Sequence, residues 1–243
     1  MPNRSSSTQP DVRLYSLVEM DSFPPPCWLV KGRFEMRDFG VLYGPPGEGK
    51  TFVALDLALS IATGRAWHGH PTTPGTVVYV TGEGRQGLRP RTRAWERMHG
   101  VEAGELFVSL EPVQFLDPPH VEVLAVRIEQ LAHPAVLVVV DTLARAFVGG
   151  DENAAQDMGR FVDAGRRLQA RLGCALWVVH HSGVIAQGRK ARERGSTALR
   201  CAADTMVEIR KSGSTVTMTW NKQKDGEEPE KMAFRLEPEP LVD

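Results

Sequence analysis

The chain has few cysteines, no excess of either charge and no long apolar run. Its 243 residues include three cysteines, Cys27, Cys174 and Cys201, which lie far apart and form no C-x-x-C pair. This spacing does not fit a disulfide framework. Two of the three have apolar neighbours, so we expect buried, reduced thiols, which suits a cytoplasmic protein.

The charges are balanced, with 29 Lys and Arg residues against 30 Asp and Glu residues and a formal net charge of -1. No global field therefore attracts nucleic acid or an anionic membrane, and any such site must be a local patch. No apolar run approaches the roughly 20 residues of a transmembrane helix, so we expect no membrane association. Residues Met1–Pro10 are polar and Ser-rich, which predicts a loose tail and no signal peptide.

Strand and helix signals alternate along most of the chain, which predicts an α/β fold: a mostly parallel central sheet flanked by helices. Residues Val136–Val140 are apolar at every position, which is typical of a central parallel strand buried on both faces. The predicted strands are Phe39–Tyr43, Thr76–Thr81, Leu106–Leu110, Ala135–Asp141 and Cys174–His180, and the predicted helices are Thr51–Thr63, Gly87–Met98, Val121–Ala132 and Asn153–Leu172.

Beyond residue 205 the pattern changes to short alternating runs, Val207–Arg210, Thr215–Trp220 and Met232–Leu236. They predict a C-terminal antiparallel β extension that closes one edge of the parallel sheet. We expect residues 1–22 to form a flexible N-terminal tail and residues 23–243 to form a single domain, with the Pro-broken stretch up to Met36 as an irregular cover.

Residues 44–51 read Gly-Pro-Pro-Gly-Glu-Gly-Lys-Thr, a complete phosphate-binding loop of the form G-x-x-x-x-G-K-[ST] between a predicted strand and a predicted helix. The glycines let successive N–H groups point at an anion, Lys50 can reach the β- and γ-phosphates, and the Thr51 hydroxyl can ligate Mg²⁺. The loop therefore predicts binding of a nucleoside triphosphate, with contacts from Gly44, Pro45, Pro46, Gly47, Glu48, Gly49, Lys50, Thr51 and Phe52.

Two further strands end in an acidic residue. Asp141 follows Val136–Val140, and a carboxylate at this place next to a phosphate loop can hold Mg²⁺ and its waters. Glu83 follows Val77–Thr81 between two glycines, where it could orient or deprotonate an attacking water. The simpler alternative for Glu83 is a solvated loop residue.

The strand Cys174–Val179 ends in two histidines, His180 and His181. Adjacent residues on a strand point to opposite faces, and no third ligand is spaced for Zn²⁺. Sensing of the γ-phosphate is therefore favoured over metal binding, with a buried structural histidine as the other alternative.

The segment Val184–Gly195 that follows contains the densest run of basic residues in the chain, Arg189, Lys190, Arg192 and Arg194. It is a candidate for binding the backbone phosphates of nucleic acid. No aromatic residue is interleaved, so base stacking is not indicated. A solvated basic loop is the alternative.

The order of these features, a phosphate loop, then Glu83, Asp141 and a polar sensor, resembles the RecA/DnaB class of P-loop ATPases. Glu83 on the neighbouring strand, rather than beside Asp141, distinguishes this class from AAA+ proteins. The closest resemblance is to plasmid RepA-type hexameric replicative helicases and related phage and plasmid ATPases. It covers about residues 28–236, and the matching segments are Val78–Glu83, Val139–Leu143, Asp151–Ala154, Val178–His181 and Arg194-Gly195-Ser196.

The resemblance implies ATP and Mg²⁺ as cofactors, with Lys50 and Thr51 at the phosphates and the metal. Asp141 would support the metal, Glu83 would be the catalytic base, and His181 would be the better candidate of the two histidines for the sensor. The basic segment would line the channel of a homo-oligomeric, hexameric ring and contact single-stranded DNA.

The segment Lys222–Gly226 resembles the K-x-R-x-G segment of DnaB-type helicases, in which a Lys and an Arg reach the neighbouring subunit's nucleotide. Lys222 matches, but Lys224 replaces the Arg. Asp204 stands where RepA-type helicases carry an arginine finger. An ordinary basic hairpin tip is the alternative for both lysines.

We therefore expect an ATP-hydrolysing motor of DNA replication or recombination, a ring-forming helicase or translocase on single-stranded DNA. The main alternative is a nucleotide-gated scaffold or recombination mediator that binds single-stranded DNA without unwinding a duplex. A small-molecule P-loop kinase is disfavoured because the sequence has no Arg-rich lid segment.

Overall fold

A mostly parallel sheet of eight strands forms the centre of the molecule. The computed structural model describes residues 13–23, 27–82, 84–181, 197–224 and 226–240. The strands are β1 Trp28–Val30, β2 Phe34–Glu35, β3 Phe39–Gly44, β4 Thr76–Thr81, β5 Leu106–Ser109, β6 Ala135–Asp141, β7 Ala175–His181, β8 Thr205–Ser212, β9 Thr215–Gln223 and β10 Met232–Arg235. The order in the main sheet is β10-β9-β8-β3-β7-β6-β4-β5, and β1 and β2 form a separate antiparallel pair.

Helices cover both faces of this sheet. The helices of the described residues are α1 Leu17–Met20, α2 Lys50–Thr63, α3 Arg85–His99, α4 Pro118–Glu129, α5 Leu143–Ala146, α6 Ala155–Leu172 and α7 Thr197–Ala202. Those that pack on the sheet are α2 to α7. Apolar residues of α2 and α3 share one buried cluster with β1 and β2. Those of α4 to α7 belong to the cluster on the opposite face. The sheet is therefore buried on both sides, as the uninterrupted apolar run of β6 predicts.

The parallel strands bring their carboxyl ends to one edge. β3 pairs with β7, β7 with β6 and β6 with β4, all in parallel. In this register Asp141 lies opposite both Thr81 and Val179, and Gly44 lies opposite His181. Residues that are far apart in the sequence thus meet where ligands of open α/β sheets bind.

The C-terminal strands form the predicted antiparallel extension. β8 runs parallel to β3. β9 pairs antiparallel with β8, and β10 pairs antiparallel with β9 at the edge of the sheet. The predicted fold class is thereby confirmed.

The N-terminal region differs from the expected irregular cover. Residues Trp28–Val30 and Phe34–Glu35 form a short antiparallel pair, and Phe34 is fully buried against Trp177. α1 is one helical turn whose capping box joins Ser16 and Glu19, and it buries none of its residues. The division of the chain into a tail and one domain stays a prediction.

The cysteines follow the expectation only in part. Cys174 is buried, and burial raises its pKa to about 12, whereas Cys27 and Cys201 are exposed. Cys201 lies near the end of α7, where its apolar neighbours do not enclose it. Within the described ranges, no helix has the length and apolar character needed to cross a bilayer.

Candidate nucleotide-binding site

The phosphate loop, residues 44–51, connects the end of β3 to the start of α2. Gly47 and Gly49 have φ values of 81° and 87°, in the left-handed region that glycine adopts without strain. A Cβ at Gly44 would collide with the backbone oxygen of Ile209. Because α2 begins at Lys50, its first N–H groups and the positive end of its dipole lie at the loop. The loop therefore has the backbone of an anion cradle.

Lys50 is folded into this loop. Its side chain is buried, and Nζ donates hydrogen bonds to the carbonyl oxygens of Gly44 at 2.8 Å and Pro45 at 2.7 Å. Burial lowers the pKa of Lys50 to about 8, and the negative charges of Asp141 and Glu48 act against this shift. Further negative charge in the loop, such as that of a phosphate, would favour the protonated ammonium.

Asp141 ends β6, and a neighbouring strand fixes its carboxylate. The hydroxyl of Tyr79 on β4 donates a hydrogen bond of 2.6 Å to Asp141 Oδ2, and Tyr79 is fully buried. Burial, followed by the charge of Asp141, raises the pKa of Tyr79 well above its ordinary value, so the phenol is a neutral donor. Tyr79 was not among the residues predicted for the site. The signal was a hydroxyl within the apolar run Val77–Val80, where a buried polar group requires a partner.

The donor atoms at this edge fit a magnesium ion. Mg²⁺ binds hard oxygen ligands, often few from the protein, with nucleotide phosphates and water completing the octahedron. The Thr51 hydroxyl and the Asp141 carboxylate are ligands of this kind. In the parts of the chain that the structure describes, no group of three His, Cys, Asp or Glu residues could hold a metal alone. An ion would therefore depend on the nucleotide for most of its ligands.

The two histidines end β7, directly beside β3. His180 lies opposite Tyr43 and is buried, whereas His181 lies opposite Gly44 and is partly exposed. The more accessible histidine is therefore next to the first residue of the phosphate loop. This placement suits a sensor, and the sensing role stays a prediction.

Five predicted site residues lie outside the described residues: Glu83, Arg189, Lys190, Arg192 and Arg194. The strand that leads to Glu83 ends at the site, because the Gly82 backbone N–H donates to the Asp141 carbonyl at 2.8 Å.

The fold and family can now be compared with known proteins. A family model described as an AAA domain matches residues 8–187. The chain belongs to this AAA domain family. The solved structure described as the ATPase Domain of G40P superimposes with a TM-score of 0.62 at 14% identity, covering 82% of this chain and 81% of that one. The fold predicted from the resemblance to RecA/DnaB-class P-loop ATPases is confirmed, and the closer resemblance to RepA-type helicases stays a prediction. Because 616 solved chains match, the fold alone does not choose among activities.

In this AAA domain, Lys222 and Lys224 lie far from the phosphate loop of their own chain. Lys222 on β9 pairs with Met206 on β8. Met206 is three residues before Ile209, which is the β8 residue that lies beside Gly44 of the loop. Lys222 Nζ donates to the carbonyl oxygens of Arg200 at 2.9 Å and Cys201 at 3.1 Å, so it caps the C-terminal end of α7. Any contact of Lys222 with a nucleotide would have to be made at a neighbouring subunit, and this stays a prediction.

Lys224 belongs to a charged cluster around Asp204. Lys224 Nζ lies 3.5 Å from Asp204 Oδ1, and the Arg166 guanidinium donates to both Asp204 oxygens, at 2.7 and 2.8 Å. Burial acts to raise the pKa of Asp204, but the bonds from Arg166 and from the Phe39 backbone bring it below its ordinary value. Asp204, at the position where RepA-type helicases carry a finger arginine, therefore pairs with Arg166 and Lys224 of its own chain.

The C-terminal extension of this AAA domain also braces the phosphate loop, which the sequence did not indicate. The Glu48 carboxylate accepts a hydrogen bond from the Lys211 backbone N–H at the end of β8. A Cβ at Gly49 would lie 3.3 to 3.4 Å from side-chain atoms of Leu236 and Val216. Residues of the C-terminal extension thus pack directly against the loop.

A cleft begins at the residue that follows Thr51. Phe52 is 45% exposed, and the Arg91 guanidinium lies 4.9 Å from its ring centroid. The cleft continues between α2, α3 and the segment 234–239, with a volume of about 620 Å³. Its walls include Trp95 and Leu236. An aromatic face and a guanidinium next to a phosphate loop provide a surface on which a planar group can stack.

Proposed function

We propose that this AAA domain is an ATP-binding, magnesium-dependent ATPase motor of DNA replication or recombination. We further propose that it forms a hexameric ring of the plasmid RepA type and acts as a helicase or translocase on single-stranded DNA. The carrying observation is that the phosphate loop, Lys50, Asp141 and His181 converge on one edge of the sheet. Cys27 and Cys201 are exposed and form no disulfide, which supports a reducing, cytoplasmic setting.

Each residue at this edge has a role in hydrolysis. The phosphate-loop N–H groups and Lys50 hold the β- and γ-phosphates in position. Thr51 and Asp141 would hold Mg²⁺, which would supply positive charge at the phosphate oxygens. Glu83 orients or deprotonates the attacking water, and His181 senses the γ-phosphate.

The nucleoside has a place beside the phosphates. The cleft includes Phe52, the third residue of α2, and Arg91, so a base could stack there while its phosphates lie in the loop. Replacement of Arg91 by Ala should then weaken nucleotide binding without removing the phosphate contacts.

DNA binding is assigned to the basic segment that follows His181. Arg189, Lys190, Arg192 and Arg194 can neutralise backbone phosphates, and binding would release counterions and depend strongly on salt. Because the segment begins directly after the end of β7, the state of the γ-phosphate at His181 could alter how it engages DNA.

The decisive experiment measures strand displacement on a forked duplex beside ATPase activity with and without single-stranded DNA. We expect ATP-dependent displacement and stimulation by DNA. A variant with Arg189, Lys190, Arg192 and Arg194 replaced by Gln should lose the stimulation and keep the basal ATPase. Stimulation without displacement would favour the nucleotide-gated scaffold or mediator. No binding of single-stranded DNA would overturn both.

A further inference from the structure

Tyr79 is a buried residue whose hydroxyl contacts Asp141 at the candidate nucleotide site. It lies on β4, two residues before Thr81, which is the direct cross-strand partner of Asp141. Residues 79 and 81 point to the same face of the strand, so the phenol can reach along the sheet to the Asp141 side chain. The bond of 2.6 Å to Oδ2 is short, as expected when a hydroxyl donates to an ionised carboxylate.

We propose that Tyr79 is a positioning residue that holds Asp141 in one orientation and thereby sets the Mg²⁺ requirement of the nucleotide site. The phenol takes one acceptor site on Oδ2, and the other acceptor sites of the carboxylate would hold the metal or its water. Since Asp141 supports Mg²⁺ only within the proposed function, this assignment rests on that function.

Two physical effects support this role. A hydrogen bond to the charged form of a carboxylate stabilises that form and fixes its side-chain torsion. Partners that orient metal ligands typically change metal affinity by about 10- to 100-fold when they are lost. The ring of Tyr79 is fully enclosed by the core, so its hydroxyl has little freedom to move away from Asp141.

A second phenol provides a matched control. Tyr43 on β3 is also buried, and its hydroxyl accepts a hydrogen bond of 2.6 Å from Asn221 Nδ2. Tyr43→Phe removes the same atom from the same sheet without removing a bond to Asp141. If the Tyr79 hydroxyl had only a structural role, Tyr79→Phe and Tyr43→Phe should have the same Mg²⁺ midpoint.

The test is a Mg²⁺ titration of the full chain at a fixed ADP concentration, with the thermal unfolding midpoint as the readout. A second Mg²⁺ titration, with ATP, measures ATPase activity. We expect Tyr79→Phe to raise the half-maximal Mg²⁺ concentration by about 10-fold or more. Binding of ADP without Mg²⁺ should be unchanged, and kcat at saturating Mg²⁺ should largely recover. Tyr43→Phe should keep the parent's Mg²⁺ midpoint.

Asp141→Asn shows whether Tyr79 acts through Asp141. In this background the further change Tyr79→Phe should leave the Mg²⁺ midpoint unaltered. Equal Mg²⁺ midpoints for the parent, Tyr79→Phe and Tyr43→Phe would overturn the proposal, and so would a full effect of Tyr79→Phe in the Asp141→Asn background. If nucleotide binding by the parent did not depend on Mg²⁺, the proposed function itself would fail.

A measurement on the unmodified protein covers the case in which Tyr79→Phe does not fold. Adding Mg²⁺ to the ADP complex should change the ultraviolet absorption of Tyr79, because the metal would draw charge from the Asp141 carboxylate that accepts the hydrogen bond of the phenol. The same difference should appear in Tyr43→Phe. A tyrosine difference spectrum that is absent, or that is lost in Tyr43→Phe, would contradict the proposal.

Discussion

Asp38 lies directly before β3, close to Thr205, Asp204 and Arg166. Burial, and to a lesser extent the charge of Asp204, raises its pKa to about 7, and its Oδ2 has no hydrogen-bond partner among the described residues. The folded state therefore binds this proton more tightly than an unfolded chain does. Its stabilising contribution is complete below about pH 4 and is lost as the pH rises through about 7.

Asp38→Asn should remove this dependence because an amide stays neutral. The rise of the Asp38 pKa from its ordinary value of 3.8 to about 7 corresponds to roughly 4 kcal/mol as an upper limit. We expect the variant to gain stability relative to the parent as the pH rises from 4 to 8. Urea unfolding across this range measures the difference. Asp204→Asn is the control of opposite sign, because the pKa of Asp204 is lowered. A parallel pH profile for Asp38→Asn and the parent would contradict the expectation.

Glu83→Gln tests the assignment of the catalytic base. The substitution keeps the size of the side chain and removes its ability to accept a proton. We expect normal ATP binding and hydrolysis slower by orders of magnitude. Equilibrium binding of a fluorescent nucleotide and single-turnover hydrolysis separate the two effects. Turnover equal to that of the parent would mean that another group activates the water.

At this scale the sequence indicated individual candidate residues but not the contacts between them. Lys50, Thr51 and Asp141 follow from local patterns, since each stands at a fixed place in a strand–loop–helix or at a strand end. Tyr79 could not be assigned, because its bond to Asp141 joins residues 62 positions apart and depends on the register of β4 with β6.

Helix α6 contains two glycines in opposite environments. A Cβ at Gly165 would lie 2.8 Å from Phe39 and 2.9 Å from Leu176, whereas a Cβ at Gly159 would meet no atom within 4 Å. Gly165 is buried, and Gly159 is exposed. The helix therefore packs closely on the sheet at one position and faces open space at the other.

The same substitution should have opposite effects at these positions. Gly159→Ala should stabilise the protein by about 0.5–1 kcal/mol, because alanine loses less backbone entropy in a helix. Gly165→Ala should destabilise it by about 1–3 kcal/mol, because a methyl group overpacks the contact with β3 and β7. Thermal unfolding measures both. Equal shifts for the two variants would show that α6 does not pack as described.

At the scale of elements, alternation of strand and helix signals was sufficient for the parallel core. The pairing of β1 with β2 was not predicted, because each strand is very short and proline residues dominate the sequence around residues 24–26. The bracing of the phosphate loop by β8 also had no local signal. It depends on Glu48 and Lys211, which are 163 positions apart.

Assembly is the main question for the whole molecule. Lys222 stabilises α7 in its own chain, while Lys224 is 59% exposed at its side chain and could reach a neighbouring subunit. If Lys224 completes a neighbour's site, an isolated protomer lacks positive charge against the γ-phosphate. Specific activity should then rise with protein concentration.

Mixing two inactive variants tests this directly. Lys224→Ala retains the phosphate loop and Lys50→Ala retains Lys224, so mixed interfaces pair one intact half of each. We expect partial recovery of ATPase activity in the mixture. Activity that does not depend on concentration, together with no recovery, would restrict Lys224 to its ion pair with Asp204.

The family and the fold were both accessible from the sequence, since the phosphate loop and strand-end residues occur in a fixed order. The closer likeness to RepA-type helicases stays a prediction. The roles expected of Lys224 and the basic segment involve a neighbouring subunit and DNA, and one chain does not contain these partners.

Steady-state hydrolysis of ATP by the purified chain, with Mg²⁺ and with or without single-stranded DNA, tests the central claim most directly. We expect hydrolysis that requires Mg²⁺, increases with DNA, and is abolished in Lys50→Ala, which lacks the ammonium in the phosphate loop. No hydrolysis by the parent under either condition, or equal rates for the parent and Lys50→Ala, would contradict the assignment of an ATPase motor.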